Sequence, residues 1–364
     1  MVKFTIFAGG YSSFIASYLF NTDTQSLSFV SQYQTGLNPS WLSTHPTNSN
    51  VLYSVNEFAT GALQSFDISS TGALSNPLDT ASSGGDSPAF AVPLSTGQVA
   101  IMNYNSGNGR IIPTTGRPET FDQSAGIISF PQPVGGVSHP HMALEHGNEV
   151  LVPDLGGDKI WRLVQDGSPG SWRIQGFIEQ PKGSGPRHIA IHNDRLYTLH
   201  ELSSTLTVQA VPPSPNGTSP LLDNVSILPS GLPAGSAMAA AEILIPETSS
   251  HFPVHYVYVS NRNTGVQDSR GDAIAIFEHV NAGTGSGESL RLVKHVFTGI
   301  DQIRGMEFSP VTQKGEQFLV AGGVAGGAGV VVYKRTDGGR DLVEVARNYN
   351  VPTRTSFVWS SLAA

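Results

Sequence analysis

Apolar residues in this chain fall in short runs that alternate with polar ones, and turns rich in Gly, Pro, Asn and Asp separate the runs. Period-two alternation of this kind predicts β-strands, and no long amphipathic helix competes with it. Three stretches repeat one arrangement. They are Pro39-Ser-Trp-Leu-Ser-Thr-His-Pro46 with Val51-Leu-Tyr-Ser-Val-Asn-Glu57, Ser138-His-Pro-His-Met-Ala-Leu144 with Val150-Leu-Val-Pro-Asp154, and Gly185-Pro-Arg-His-Ile-Ala-Ile-His192 with Leu196-Tyr-Thr-Leu-His-Glu201. Each is an alternating segment, a turn, and a second apolar run ending in a polar residue. Recurrence of such a unit roughly every 45–60 residues predicts a β-propeller, with one four-stranded blade per repeat.

The pattern extends along the chain. The first unit covers about residues 38–80, and the second starts near Asp86 and runs through Val99-Ala-Ile-Met-Asn-Tyr104. The third holds Pro140-His141, Asp154 and the strand from Lys159, and the fourth Pro186-Arg187 and Glu201. The fifth holds Ala241-Glu-Ile-Leu-Ile245 and Tyr256-Val-Tyr-Val-Ser-Asn-Arg262, and the sixth Ile303-Arg304 and Phe318-Leu-Val-Ala-Gly-Gly323. Two pieces remain. The N-terminal one, from Phe4 to Phe20, reads as second and third strands lacking a first. The C-terminal one, Thr355-Ser-Phe-Val-Trp-Ser360, reads as a lone first strand. Together they predict a seventh blade closed by the two termini, which removes exposed sheet edges. The expectation is therefore an all-β, seven-bladed propeller forming one domain over residues 1–364. Segment 211–240 reads as a long loop, 263–272 as a second insertion, and the Gly-rich run 321–328 as a permissive turn.

Composition narrows the function. Only 13% of the 364 residues are charged, and 40 Gly and 24 Pro supply turns, which suits short strands. A net charge of -8 argues against a nucleic-acid-binding face. The absence of cysteine excludes disulfides, thiolate metal sites and a cysteine nucleophile. The apolar run at the N-terminus is too short for a signal peptide and nothing matches a membrane span, so a cytoplasmic protein is expected. The sequons at Asn216 and Asn224 carry little weight in that setting.

In a propeller, strand ends at equivalent places in each blade converge on one mouth of the channel. At the start of the first strands stand Ser40, Ala89, His141, Arg187, Ala241 or Glu242, and Arg304; the second strands end in Asn56-Glu57, Asn103-Tyr104, Asp154, Glu201, Asn261-Arg262 and Gly322-Gly323. Imidazole, guanidinium and carboxylate groups together suit acid–base work on an anionic or anion-forming substrate. Each has a structural alternative. A ring of salt bridges such as Arg187 with Glu201 could simply hold the channel, and Glu57 and Asp154 could cap turns. His139, His188 and His192 alternate with these positions and read as structural. No zinc spacing, calcium loop, P-loop, dinucleotide fingerprint or nucleophile elbow is present in a proper setting.

The segments Ser138-His-Pro-His141, Val152-Pro-Asp-Leu-Gly-Gly-Asp-Lys159, Gly183-Ser-Gly-Pro-Arg-His188, His200-Glu-Leu-Ser-Ser-Thr205 and Val259-Ser-Asn-Arg262 resemble the signature segments of the seven-bladed lactonase family, which includes propeller-type 6-phosphogluconolactonases and fungal 3-carboxy-cis,cis-muconate lactonising enzymes. Asn103-Tyr-Asn-Ser-Gly-Asn108 is similar to the family's second-blade segment. The resemblance implies an enzyme that opens or closes a lactone ring without metal or cofactor. It places that family's active-site residues at His141, Arg187, Glu201 and Arg262, four positions the strand-end reading already selects. Ile303-Arg304 departs from the family's Pro-Arg, and the sixth blade's second strand ends in glycines.

The expectation is a lactonase acting on an aldono- or 6-phosphoglucono-type lactone. His141, Glu201, Arg187 and Arg262 are the expected catalytic groups, with Asn103, Tyr104, Asp154, Arg304 and Glu57 binding substrate. A muconate-type lactonising cycloisomerase and a non-catalytic binding platform are the alternatives. The expected partner is a small lactone or carboxylate, with no nucleic acid and no membrane; a homo-oligomer is compatible with the sequence.

Overall fold

A computed structural model describes residues 2–284, 286–310 and 317–361 of the chain. Its strands form seven sheets, six of them four-stranded and one with a fifth short strand, and the described helix is a single three-residue turn, Asp337–Gly339. Six sheets follow in chain order. The seventh pairs the C-terminal strand Ser356–Ser361 with Lys3–Gly9, in register from Phe4 opposite Ser361 to Gly9 opposite Ser356. The terminal strands therefore close the ring as expected.

The second strands are buried on both faces. Val51–Asn56, Gln98–Asn103 and Glu149–Asp154 are buried at every position. Each blade packs both faces on its neighbours, so hydrophobic cores lie between the sheets. One core joins Phe20 of the seventh blade to Phe318 of the sixth, ring to ring at 4.9 Å; another joins Tyr258 of the fifth to Phe308 of the sixth at 5.0 Å.

Two expectations need correction. Segment 211–240 is not all loop: Leu221–Ser226 is the outermost strand of the fourth blade, paired with Thr205–Ala210, and Met238 already begins the fifth blade. The Gly-rich run is not all turn either, because Phe318–Ala325 is one continuous strand. Its glycines stand where no side chain fits. A Cβ on Gly323 would lie 2.0 Å from the carbonyl oxygen of Asp301, and one on Gly322 would lie 2.8 Å from that of Arg354. The 263–272 insertion is a connection, linking Tyr256–Asn263 to Ala273–Val280.

Candidate active site

The inner strands share a local irregularity that builds the site. Their pairing slips between Pro88 and Phe90, between Pro186 and His188, between Ala240 and Ile243, and between Ile303 and Gly305. The residues left over are Ala89, Arg187, Ala241 with Glu242, and Arg304. Each slip is a β-bulge, which breaks alternation and re-aims a side chain. Four blades thus turn the residue at the start of the inner strand out of the sheet.

Arg187, Glu201 and Arg262 meet in one cluster. Arg187 Nε and Arg262 Nη2 both lie 2.7 Å from Glu201 Oε2. The Arg187 contact is an ion pair set off the ideal N–H direction. Arg187 also donates to the carbonyl of Ala241, and Arg262 to that of Ala240 at 3.3 Å. Only 1% of Arg187 is exposed. Burial, then the Arg262 charge, draw its pKa down to about 10, against the pull of Glu201. It therefore remains a cation at neutral pH.

Arg304 anchors a second cluster across the mouth. It donates to the Ser40 carbonyl at 3.0 Å and to Glu57 Oε2 at 3.1 Å. Glu57 also accepts from Ser40 Oγ, and from Tyr11 at 3.1 and 3.2 Å. Three guanidiniums, of Arg187, Arg262 and Arg304, stand at the mouth with the carboxylates of Glu57 and Glu201, and Glu242 lies within reach of the Arg187 and Arg304 charges.

His141 stands between the clusters in charge if not in contact. Burial, then the charges of Arg187, His188, Arg304 and Arg262, hold its pKa well below 6.5, so it is a neutral imidazole. Its Nδ1 lies 3.2 Å from His188 Nε2, and His188 Nδ1 lies 2.8 Å from Glu242 Oε1. Tyr104 meets His141 edge-on at 5.7 Å and stacks on His139 at 4.3 Å. Burial, then the Glu201 charge, raise the Tyr104 phenol, while Arg187 and Arg262 lower it, which puts it in the field of the same cluster.

Two expected substrate-binding residues are placed elsewhere. Asp154 is wholly buried, and its carboxylate accepts from Ser138 Oγ, the His139 and Gly157 amides and Trp161 Nε1, all at 2.7–2.9 Å. It is spent on its own blade, the turn-capping alternative. Asn103 is likewise buried and donates to Ser83 O and Asn108 Oδ1. Sequence reasoning also set His188 aside as structural, yet it touches His141. Tyr11 and Glu307 were not singled out. Tyr11 lies two residues beyond the second strand of the closing blade, Lys3–Gly9, and bonds Glu57.

Glu307 lies half-buried on the inner strand Asp301–Phe308, where burial and then the Glu242 charge raise its pKa to about 8. It lines a cavity of about 430 Å³ with Trp41 and Phe90, whose rings also pack on His188 at 5.4 and 5.7 Å. None of His141, Arg187, Glu201 and Arg262 lines that cavity. Among the described residues, no group of three or more His, Cys, Asp or Glu is placed to hold a metal ion, and no helix is long and apolar enough to cross a membrane.

Comparison with known proteins agrees with the fold. A protein of Bacteroides fragilis proposed to be a 6-phosphogluconolactonase superposes with a TM-score of 0.79 at 21% identity, covering 98% of each chain. The periplasmic gluconolactonase of Pseudomonas aeruginosa gives 0.79 at 19% identity, covering 99% of this chain and 100% of that one. A Lactobacillus plantarum protein gives 0.79 at 22%, covering 98% and 99%. At such identities the likeness shows the shared fold. No curated protein matches the chain. The sequence pattern of the family described as "Lactonase, 7-bladed beta-propeller" matches residues 5–359, so the chain belongs to the seven-bladed β-propeller lactonase family, an enzyme family acting on lactones.

Proposed function

We propose that this enzyme hydrolyses a sugar-acid lactone at the mouth built by His141, Arg187, Glu201 and Arg262, without a metal ion. The observation that carries this reading is the placement of a neutral buried imidazole in the field of guanidiniums that are held together by one carboxylate. Water adds to the lactone carbonyl as His141 takes its proton. The carbonyl oxygen becomes an oxyanion, which Arg187 and Arg262 stabilise. Collapse breaks the bond to the ring oxygen, and the imidazolium returns the proton to that leaving alkoxide. The product is an open hydroxy acid, which loses a proton to solvent. Glu201 holds the two cations at one point. Arg304 and Tyr11, tied through Glu57, face the rest of an anionic substrate. The guanidiniums of Arg187, Arg262 and Arg304 support an aldonolactone bearing a carboxyl or phosphate over a neutral one.

A pH-stat assay against aldonolactones, with and without a 6-phosphate and with and without chelator, tests this. Acid release that survives chelation is expected. If the panel stays at the spontaneous rate while a conjugated carboxymuconate loses its ultraviolet absorbance without water uptake, the enzyme is instead a lactonising cycloisomerase.

A further inference from the structure

His141 is not an isolated imidazole. Its Nδ1 faces His188 Nε2 at 3.2 Å, and His188 Nδ1 faces Glu242 Oε1 at 2.8 Å. All three residues are at least nine-tenths buried, and the rings of Trp41 and Phe90 wall His188 off. The donors and acceptors in this row are fixed from one end. A carboxylate only accepts, so Glu242 requires the proton of His188 to sit on Nδ1. Neutral His188 then has a lone pair on Nε2, which requires the proton of His141 to sit on its Nδ1. The lone pair of His141 is left on Nε2, the nitrogen turned away from the relay.

We propose that Glu242 and His188 are positioning residues, which set the tautomer of His141 so that its Nε2 is the base. The proposal rests on the reading of His141 as the base of lactone hydrolysis. Neither residue touches substrate; each acts through the next. Burial, with the positive charges of Arg187 and Arg304, opposes a second proton on His188, so its pKa lies below 6.5 despite Glu242. His141 is in the same position, facing Arg187, His188, Arg304 and Arg262, with Tyr104 edge-on. Glu307 completes the arrangement. Burial and then the Glu242 charge raise its pKa to about 8. The bulge at Arg187 makes this possible. Without it, His188 would point away from the face that Arg187 occupies.

Long-range proton–nitrogen NMR of protein labelled with ¹⁵N reads histidine tautomers directly, with His141→Gln and His188→Gln assigning the two rings. Both rings are expected to be neutral and protonated at Nδ1 at pH 7. His188→Phe removes the acceptor and keeps an aromatic ring; kcat should fall by about 10- to 100-fold with KM little changed. His188→Gln, whose amide oxygen can accept from His141, should recover part of the loss. Glu242→Gln can present oxygen or nitrogen to His188, so His141 should give two sets of ring signals; this variant decides the matter if His188→Phe does not fold. A wild-type His141 protonated at Nε2, or an unchanged kcat in folded His188→Phe, overturns the relay. Hydrolysis with an Nε2-protonated His141 refutes the relay alone, whereas the Nδ1 tautomer in an enzyme that hydrolyses no lactone refutes the lactonase reading alone.

Discussion

Arg187 and Arg262, from adjacent blades, place a guanidinium nitrogen at the same distance, 2.7 Å, from one oxygen of Glu201. Two cations brought this close repel unless a shared anion lies between them. Glu201 is that anion, so its removal leaves two unpaired charges in a mostly buried place. Glu201→Gln should lower the unfolding free energy by about 3 kcal/mol, the scale for breaking a buried ion pair. It should also weaken catalysis by loosening both arginines. Urea titration of wild type and variant checks the first effect, and kcat on the same preparations the second.

Arg187→Ala removes one of two stabilisers of the developing oxyanion. A loss on the order of 100-fold in kcat is expected, with a smaller change in KM. Unchanged hydrolysis in this variant would remove Arg187 from the chemistry and return it to channel support.

Asp154→Ala should behave in the opposite way. Its carboxylate takes four donors from its own blade, so truncation leaves buried groups unpaired. A stability loss of about 1–3 kcal/mol or more is expected, with kcat of the folded fraction nearly unchanged. A kcat loss as large as that of Arg187→Ala, at full stability, would give Asp154 a place in substrate binding after all.

The inner architecture of this fold was legible because the second strands are buried on both faces and read as near-continuous apolar runs. The outer strands were not. Ser26–Gln34 and Leu221–Ser226 are half-solvated and polar, so the second of them passed for loop. The site shows the same division. His141, Arg187, Glu201 and Arg262 occupy equivalent strand ends and could be selected from the repeat. His188 could not, because strict alternation assigns adjacent residues to opposite faces, and the slip between Pro186 and His188 carries no residue-type signal. Asp154 and Asn103 end their strands, whereas Glu57 and Glu201 stand one residue beyond theirs, and tight turns take up the side chains of the first pair. The repeat located the strand ends to within a residue, and that one residue decides which side chains face the mouth.

Acid should destabilise the protein through its buried histidines. Burial draws His200 down from 6.5 to about 4. Above pH 6.5 this group is neutral in both folded and unfolded chains and its full contribution is present. As pH falls below 6.5 the unfolded chain gains the proton first, and stability drops by about 1.4 kcal/mol per pH unit until the folded imidazole also titrates near pH 4. His200→Gln should therefore lose about 2 kcal/mol less than wild type between pH 7 and pH 5 in urea unfolding. Equal losses would contradict the buried neutral imidazole.

Glu307 carries the opposite sign. Its carboxyl is held protonated to about pH 8 in the folded chain, whereas it ionises near 4.5 when unfolded. Stability is lost as pH rises through that interval. Glu307→Gln should gain on wild type by about 1.4 kcal/mol for each pH unit from 5 to 8. Thermal melts of both proteins across that range check it.

The most direct test is the rate of acid release from an aldonolactone by wild type and by His141→Asn, each shown to be folded, in the presence of chelator. Hydrolysis well above the spontaneous rate in wild type, reduced on the order of 100-fold or more in the variant, is the expected result. Full activity in His141→Asn would contradict the assignment of the base, and with it the mechanism built on this channel mouth.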